Sequence, residues 1–386
     1  MPTSTKRIAI NFGGGYVPGL NALIAGTVMA ASEIGWEVVG IRDGYDGLLF
    51  PERYPAGGLL RFDREMVEYL TGASGSVLGT AARSDPFHVR AVDEDGMLRE
   101  EDRSDELLDA IRSHGIDAVI SVVGSAPLSI LWKLSRKGLK TIAVPKSVEN
   151  DMATTELSFG FDSALSFATE TIERVRRAAE STRQIGIVEV PGERAGWLAL
   201  QSGIAVCADA ILIPEIRYDL HKVAEKLCEK AESGRDHALV VVAEGATPVI
   251  GAAPSSDSSP VDSLRASLSP GAFGEQGAHV IERSGHVAQK VALELQRLTN
   301  HETYPLVLGH LVSGGPPTAA DRQLGLAYGA AAVRALQDNQ SGVMVSFQPP
   351  ELKFIPLADA INKARILPAD SVFVQVARAL GISLGD

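Results

Sequence analysis

Short β-branched runs alternating with longer amphipathic stretches constrain this chain more than any other feature. RIAINF is followed by an apolar-periodic stretch at residues 20–34, EVVGIRDG by one at 101–113, and AVISVVG by one at 128–137. This alternation predicts βαβ units and a parallel sheet. A second series follows: KTIAV, a helix over 163–180, IGIVEVPG, AILIPE, HALVVVAEGA and LVLGHLVSGG, with most of its strand-like runs ending in polar or glycine-rich turns. Ligands of open α/β sheets bind beyond the carboxyl ends of the strands, so these turns are where chemistry is expected. At 386 residues the chain exceeds one ordinary core, and two lobes are expected.

Composition sets the outer limits. Apolar content of 45% with 22% charged residues fits a globular protein with a sizeable core. A formal charge of −12 argues against a general nucleic-acid or anionic-membrane surface, which needs clustered Lys and Arg. The first residues, MPTSTKRIAINF, have no apolar signal-peptide core, and no run approaches a membrane span, so a cytoplasmic protein is expected. Cys207 and Cys228 are too few for a disulfide framework or a zinc site and read as buried thiols. The Ser-, Pro- and Ala-rich stretch 251–274 reads as a surface loop, either a tolerated insertion or a lid.

Three segments carry candidate chemistry. NFGGGYVPGLN lies between a strand and a helix, where Gly14 and Gly15 let backbone amides approach a phosphate and the helix N-terminus adds partial positive charge. It matches neither the Walker motif nor the dinucleotide fingerprint, and a plain tight turn reads equally well. In GSVLGTAARSDPF, Arg83 follows small residues and is either a phosphate contact or a surface arginine. PKSVENDMATTELSFGFDSA follows the strand-like KTIAV. Its Lys146 can neutralise a phosphate, while Glu149 or Asp151 can accept a hydroxyl proton or hold a hydrated divalent metal. The alternative is a solvated charged loop.

These segments, in this order and joined by GIRDGYDGL, resemble the phosphofructokinase family along nearly the whole chain. GGGYVPGLN is similar to the family's GGxxPGxN, LGTAAR to LGTSR, and PKSVENDMATTELSFGFDSA to PKTIDNDIxxTDxTFGFDTA. IVEVPGERAGWLAL resembles VEVMGRxxGWLAL, VLGHLVSGGPPTAADR resembles VLGHxQRGGxPxxxDR, and ARALGISLGD resembles the tail of pyrophosphate-using and long bacterial members. The resemblance implies two doubly wound, Rossmann-like α/β domains with a cleft between them, in a homodimer or homotetramer. Residues 1–150 would bind the donor phosphate and 151–340 the acceptor, with 341–386 packing back across both. The implied chemistry is Mg²⁺-dependent transfer of a phosphoryl group to a sugar hydroxyl, with pyrophosphate expected as donor ahead of ATP, dominated by positioning and charge neutralisation.

Carried over residue by residue, the resemblance makes Glu149 the base, with Ser147 and Asp151 beside it and Asp151 as metal ligand. Gly14, Gly15, Arg83, Gly124, Ser125 and Lys146 fall on the donor side, and Glu215, His310, Gly192 and Glu193 on the acceptor side. Lys146 matches a lysine typical of pyrophosphate users. The family's GGDGS turn falls on Val123 to Pro127, so Ser125 stands where a metal-binding Asp is expected and Pro127 removes an N–H donor. Arginines expected around the sugar phosphate fall on Gln184, Glu193, Tyr304 and Ser313, with Arg183 and Arg194 one residue away from two of those positions. Three readings follow: a phosphotransferase acting on an acceptor other than fructose 6-phosphate, a catalytically degenerate paralogue serving as a regulatory or structural subunit, and an ordinary 6-phosphofructokinase.

Overall fold

The structure is a computed structural model describing residues 6–81, 84–92, 97–249 and 286–386. Arg83 and the 251–274 stretch lie outside the described residues. The chain runs β1 (Arg7–Gly13), α1 (Leu20–Glu33), β2 (Glu37–Ile41), α2 (Asp46–Leu49), β3 (Leu59–Phe62), α3 (Arg64–Glu68) and the β4 (Val89–Val92), β5 (Leu98–Glu101) hairpin. It continues through α4 (Ser104–Ser113), β6 (Ala118–Val123), α5 (Ser125–Arg136), β7 (Thr141–Pro145), α6 (Phe161–Thr182), β8 (Ile185–Val190) and α7 (Trp197–Ala205). Then come β9 (Ala210–Leu212), α8 (Leu220–Glu232), β10 (Ala238–Ala243), α9 (His286–Thr299), β11 (Thr303–Val307) and α10 (Ala319–Gln337). The last elements are β12 (Val343–Gln348), β13 (Glu351–Pro356), α11 (Leu357–Ala360) and α12 (Val372–Ala379).

Two compact units result. Unit 1 takes the described residues of Met1–Ala164 together with Ser313–Arg365; unit 2 takes those of Leu165–Val312 together with Ile366–Asp386.

Unit 1 is built on a seven-stranded sheet of order β13-β12-β7-β6-β1-β2-β3. Its inner strands are parallel, while β3 and β13 pair antiparallel at the edges. Alternation decides which side chain faces which layer. Ile8, Ile10 and Phe12 of β1 join a core with Leu20, Leu23, Tyr328 and Ala332, whereas Ala9 joins the opposite core with Leu107, Ile111 and Leu134. On the first face α1 and α10 cross backbone to backbone. A methyl group on Gly26 would lie 2.3 Å from the carbonyl oxygen of Leu326, and one on Gly329 would lie 2.5 Å from that of Leu23, so only glycine permits the crossing.

Unit 2 contains a fully parallel four-stranded sheet of order β11-β8-β10-β9. Ile187, Leu212, Val240 and Val242 pack against Val223, Leu227, Val291 and Leu295 of α8 and α9. Ser383 pairs alongside Ala210, with Ile211 donating to the Ser383 carbonyl at 2.9 Å and Ser383 to that of Asp209 at 3.0 Å. Residues 382–386 therefore cover the outer edge of β9.

Most strand-like runs of the sequence form strands at the expected places; LVLGHLVSGG supplies only Leu306 and Val307 to β11, and the chain then turns through Gly309–Ser313. The helix expected over 163–180 begins earlier, at Phe161, because the Asp321 carboxylate accepts the N–H groups of Gly160 and Ser163, each at 2.7 Å. The thiols need correction. Cys207 is exposed in the turn that closes α7, where it takes a left-handed φ of 51°, and Cys228 is half-buried. Among the described residues no helix is long and apolar enough to cross a membrane.

Candidate active site

In both units the polar turns named by the sequence follow the carboxyl ends of parallel strands, where open α/β sheets bind ligands.

In unit 1, β1 ends at Gly13 and the chain turns at Gly14 with φ 86°, a conformation that favours glycine. The Gly14 amide donates to the Ala81 carbonyl at 3.1 Å. Gly15 is exposed, and a methyl group on it would meet nothing within 4 Å, so its backbone stays open to a ligand. Two side chains moor the neighbouring loop. Buried Asn21 donates to the Ala73 carbonyl and accepts from the Val77 amide, both at 3.2 Å, and the Tyr16 hydroxyl accepts from the Gly75 amide at 2.8 Å. The GGxxPGxN pattern marked Asn21 only as part of a motif.

Beside this turn α5 begins at Ser125 with Gly124 as its N-cap. Its first intrahelical bond runs from the Leu128 amide to the Gly124 carbonyl at 3.2 Å. Pro127 has no N–H, so the first turn presents the amides of Ser125 and Ala126. The Pro127 ring lies against the glycines: a methyl group on Gly13 would be 3.0 Å from its Cβ, and one on Gly14 would be 3.3 Å from its Cγ. Nothing in the sequence pattern shows this packing.

The third wall follows β7. Lys146 is 3% exposed, and its ammonium donates to the Gly15 carbonyl. A methyl group on Gly14 would lie 3.7 Å from Nζ. Burial pushes the Lys146 amine down to about 7. The chain then folds round the Ser147 hydroxyl, which accepts from the Glu149 amide at 3.0 Å and donates to the Asp151 carboxylate at 2.7 Å. Asn150 makes the tight turn possible with φ 55°. Its buried amide group accepts from the Ser158 N–H at 2.9 Å and donates to the Glu156 carbonyl at 3.2 Å. The Asp151 carbonyl accepts the Arg365 amide at 2.8 Å. Unit 1 thus gathers Gly14, Gly15, Gly124, Ser125 and Lys146 around one glycine turn and joins Ser147, Glu149 and Asp151 in the turn that follows.

Among the described residues no three His, Cys, Asp or Glu side chains form a metal cluster. One carboxylate, Asp151, bonded to a hydroxyl suits a magnesium ion held mainly by phosphate and water, and does not suit a cation caged by protein.

In unit 2, Gly192 follows β8, Glu215 follows β9, Glu244 follows β10 and His310 follows β11. Gly192 adopts φ 154°, and its amide faces Glu244 Oε1 at 3.5 Å. Glu193 and Arg194 beyond it are exposed. The Glu215 carboxylate accepts the Gly196 amide through both oxygens, at 3.0 and 3.1 Å, and the Leu367 amide at 2.9 Å. It clamps the start of α7 and the 366–386 segment, a role the motif did not reveal. His310 is exposed on the turn Gly309–Ser313, which excludes a buried structural histidine. At the positions where arginines were expected, Gln184 donates to Glu302 at 2.9 Å, Tyr304 is 48% exposed and Ser313 is half-buried. Neighbouring Arg183 pairs with Asp236 at 3.3 Å.

Comparison with known proteins gives this arrangement a family. The model of the family described as Phosphofructokinase matches residues 7–336. A protein from Clostridium perfringens named ATP-dependent 6-phosphofructokinase 2 is 36% identical over 383 residues, covering 99% of each chain. One from Chloroflexus aurantiacus named ATP-dependent 6-phosphofructokinase is 36% identical over 387 residues, covering 100% of this chain and 99% of that one. Among solved structures, a pyrophosphate-dependent phosphofructokinase from Marinobacter aquaeolei superposes with a TM-score of 0.74 over 98% of this chain and 92% of that one, at 19% identity.

Proposed function

The chain belongs to the phosphofructokinase family, whose members are phosphotransferases with an alcohol acceptor, and from that premise we propose Mg²⁺-dependent phosphoryl transfer to a hydroxyl of a sugar-like compound other than fructose 6-phosphate. One observation carries the reading: a buried lysine, an open glycine turn and a helix N-terminus lie side by side, and a Ser–Glu–Asp turn follows directly. Such groups neutralise a phosphate and then handle the acceptor proton.

In this mechanism Gly15, Gly124, the α5 amides at Ser125 and Lys146 hold the donor phosphate, with Gly14 shaping the turn and Arg83 a further contact. Glu149 takes the proton of the acceptor hydroxyl as the new oxygen–phosphorus bond forms and the bridging bond of the donor breaks. Asp151, oriented by Ser147, would hold magnesium, which when bound neutralises charge on the transferring group. In unit 2, Glu215 and His310, with Gly192 and Glu193, recognise acceptor hydroxyls. The want of arginines at Gln184, Glu193, Tyr304 and Ser313 supports an acceptor without the usual phosphate, because phosphate recognition depends on bidentate arginine contacts. In this reading residues 1–150 serve the donor, 151–340 the acceptor, and 341–386 complete both, within a cytoplasmic homodimer or homotetramer.

ATP appears in the names of relatives matched along nearly their whole length, and Lys146 serves either donor as a point charge, so ATP is the first donor proposed and pyrophosphate the second. A second reading, a binding subunit without turnover, is favoured by the Pro127 ring packed on Gly13 and Gly14. The deciding experiment measures phosphate transfer from each donor with Mg²⁺ to a panel of polyols, sugars and sugar phosphates, together with calorimetric donor binding. Transfer to a neutral hydroxyl compound in preference to fructose 6-phosphate supports the proposal. Preference for fructose 6-phosphate removes the acceptor reading, and donor binding without transfer to any acceptor supports the second reading.

A further inference from the structure

We propose that Pro127 is a positioning residue of the donor site that acts through Lys146: its ring keeps water from the buried amine beside Gly14, so that a phosphate bound there draws a proton onto the lysine. Pro127 Cγ and Lys146 Nζ flank the same point, 3.3 and 3.7 Å from the place a Gly14 methyl would occupy, and Pro127 Cδ lies 3.8 Å from it. An ammonium group has three donors to satisfy. For Lys146 the one acceptor among the described residues is the Gly15 carbonyl.

Among the described residues no carboxylate pairs with the Lys146 ammonium. β1 and its turn offer Gly13 to Gly15, α5 offers Gly124 to Pro127, and the segment paired with Lys146 offers Phe159. On its own turn lie Glu149 and Asp151, the latter bonded to the Ser147 hydroxyl. Burial is accordingly the sole cause of the depressed value. A phosphate at the Ser125 and Ala126 amides supplies the missing negative charge, and the amine then takes one proton from solvent to become the ammonium. Affinity for the anion is expected to fall roughly tenfold per pH unit above the lysine's free value until the bound value is reached. This linkage rests on the donor-site reading above, whereas the state of Lys146 in the empty protein does not.

Two measurements on the full chain separate the two claims. Protein labelled with ¹³C at lysine Cε is titrated by NMR over roughly pH 6 to pH 10, with the Lys146 signal assigned by its loss in Lys146→Met. In the wild type Lys146 is expected to titrate near 7, and in Pro127→Ala at least about one unit higher. Pro127→Ser substitutes if the alanine variant does not fold. Titration of Lys146 with the other lysines, or an unchanged value in the Pro127 variants, overturns the inference. Calorimetry with pyrophosphate and Mg²⁺, in two buffers of different ionisation enthalpy at about pH 8, is expected to show nearly one proton taken up per ligand in the wild type and less in Pro127→Ala. Binding without proton uptake overturns the linkage and leaves the donor site standing. If Lys146 titrates as expected but pyrophosphate does not bind, the donor-site reading fails together with the positioning role of Pro127, and only the effect of the Pro127 ring on the lysine amine stands.

Discussion

The two units finish their parallel strands in opposite ways. In unit 1 the polar groups are drawn inward: Lys146 and Asn150 are each 3% exposed, and the Ser147 hydroxyl ties Glu149 to Asp151. In unit 2 Glu193 and His310 are exposed, and half-buried Glu215 already binds three times to backbone amides. Unit 1 therefore holds its polar groups in fixed places before any ligand arrives, which is what stabilising a charged transition state requires. Unit 2 leaves Glu193 and His310 on a surface where substitution costs the fold little.

The largest effect that would break this contrast is on turnover. Glu149→Gln is expected to lower the rate about 10³-fold with the melting temperature unchanged, since general-base catalysis contributes about 10²–10⁴. A variant that keeps its rate within tenfold would show that Glu149 is not the base.

The next test concerns what the inward arrangement costs the fold. The Lys146 value falls from 10.5 to about 7, so between those values the folded state binds fewer protons than the unfolded one, and stability rises as pH climbs through that range. Lys146→Met is expected to raise the unfolding free energy by roughly 2–4 kcal/mol at neutral pH, with the gain shrinking towards pH 10, while abolishing donor binding. Urea denaturation at three pH values checks both sign and trend; destabilisation at neutral pH would mean that the lysine is charged and satisfied.

Glu215→Ala sharpens the contrast within unit 2. It leaves the amides of Gly196 and Leu367 without their acceptor and is expected to cost about 2 kcal/mol, a loss visible in thermal unfolding before any substrate is added. His310→Ala sits at the small end, within about 0.5 kcal/mol of wild type in stability, and its effect should appear in KM for the acceptor. A large stability loss there would place His310 with the structural groups of unit 1.

Much of this was legible from the sequence. Short β-branched apolar runs revealed β1, β6, β8 and β10, because each of these strands is buried along nearly its whole length. The start of α6 was misplaced because its cap, Asp321, comes from a distant part of the chain, and local pattern carries no sign of such a partner. The same holds for Pro127: its loss of an N–H is readable from residue type, while its packing on Gly13 depends on β1 and β6 lying side by side. Motif similarity located Glu215 but could not show that backbone amides already claim its oxygens. The exposed cysteine sits in a turn that local pattern hides, since a left-handed φ at Cys207 is rarely announced by a non-glycine residue.

Neither unit is a continuous length of chain, and this governs the order in which the protein can be made. β7 gains its outer neighbour only when β12 arrives, and β9 only when residues 382–386 do. A nascent chain halted before residue 343 therefore carries two unpaired strand edges at once, one in each unit, and each is a template for pairing with another chain. The interval in which residues 343–386 emerge is thus one of added exposure to aggregation, when a chaperone bound to the emerging chain would matter.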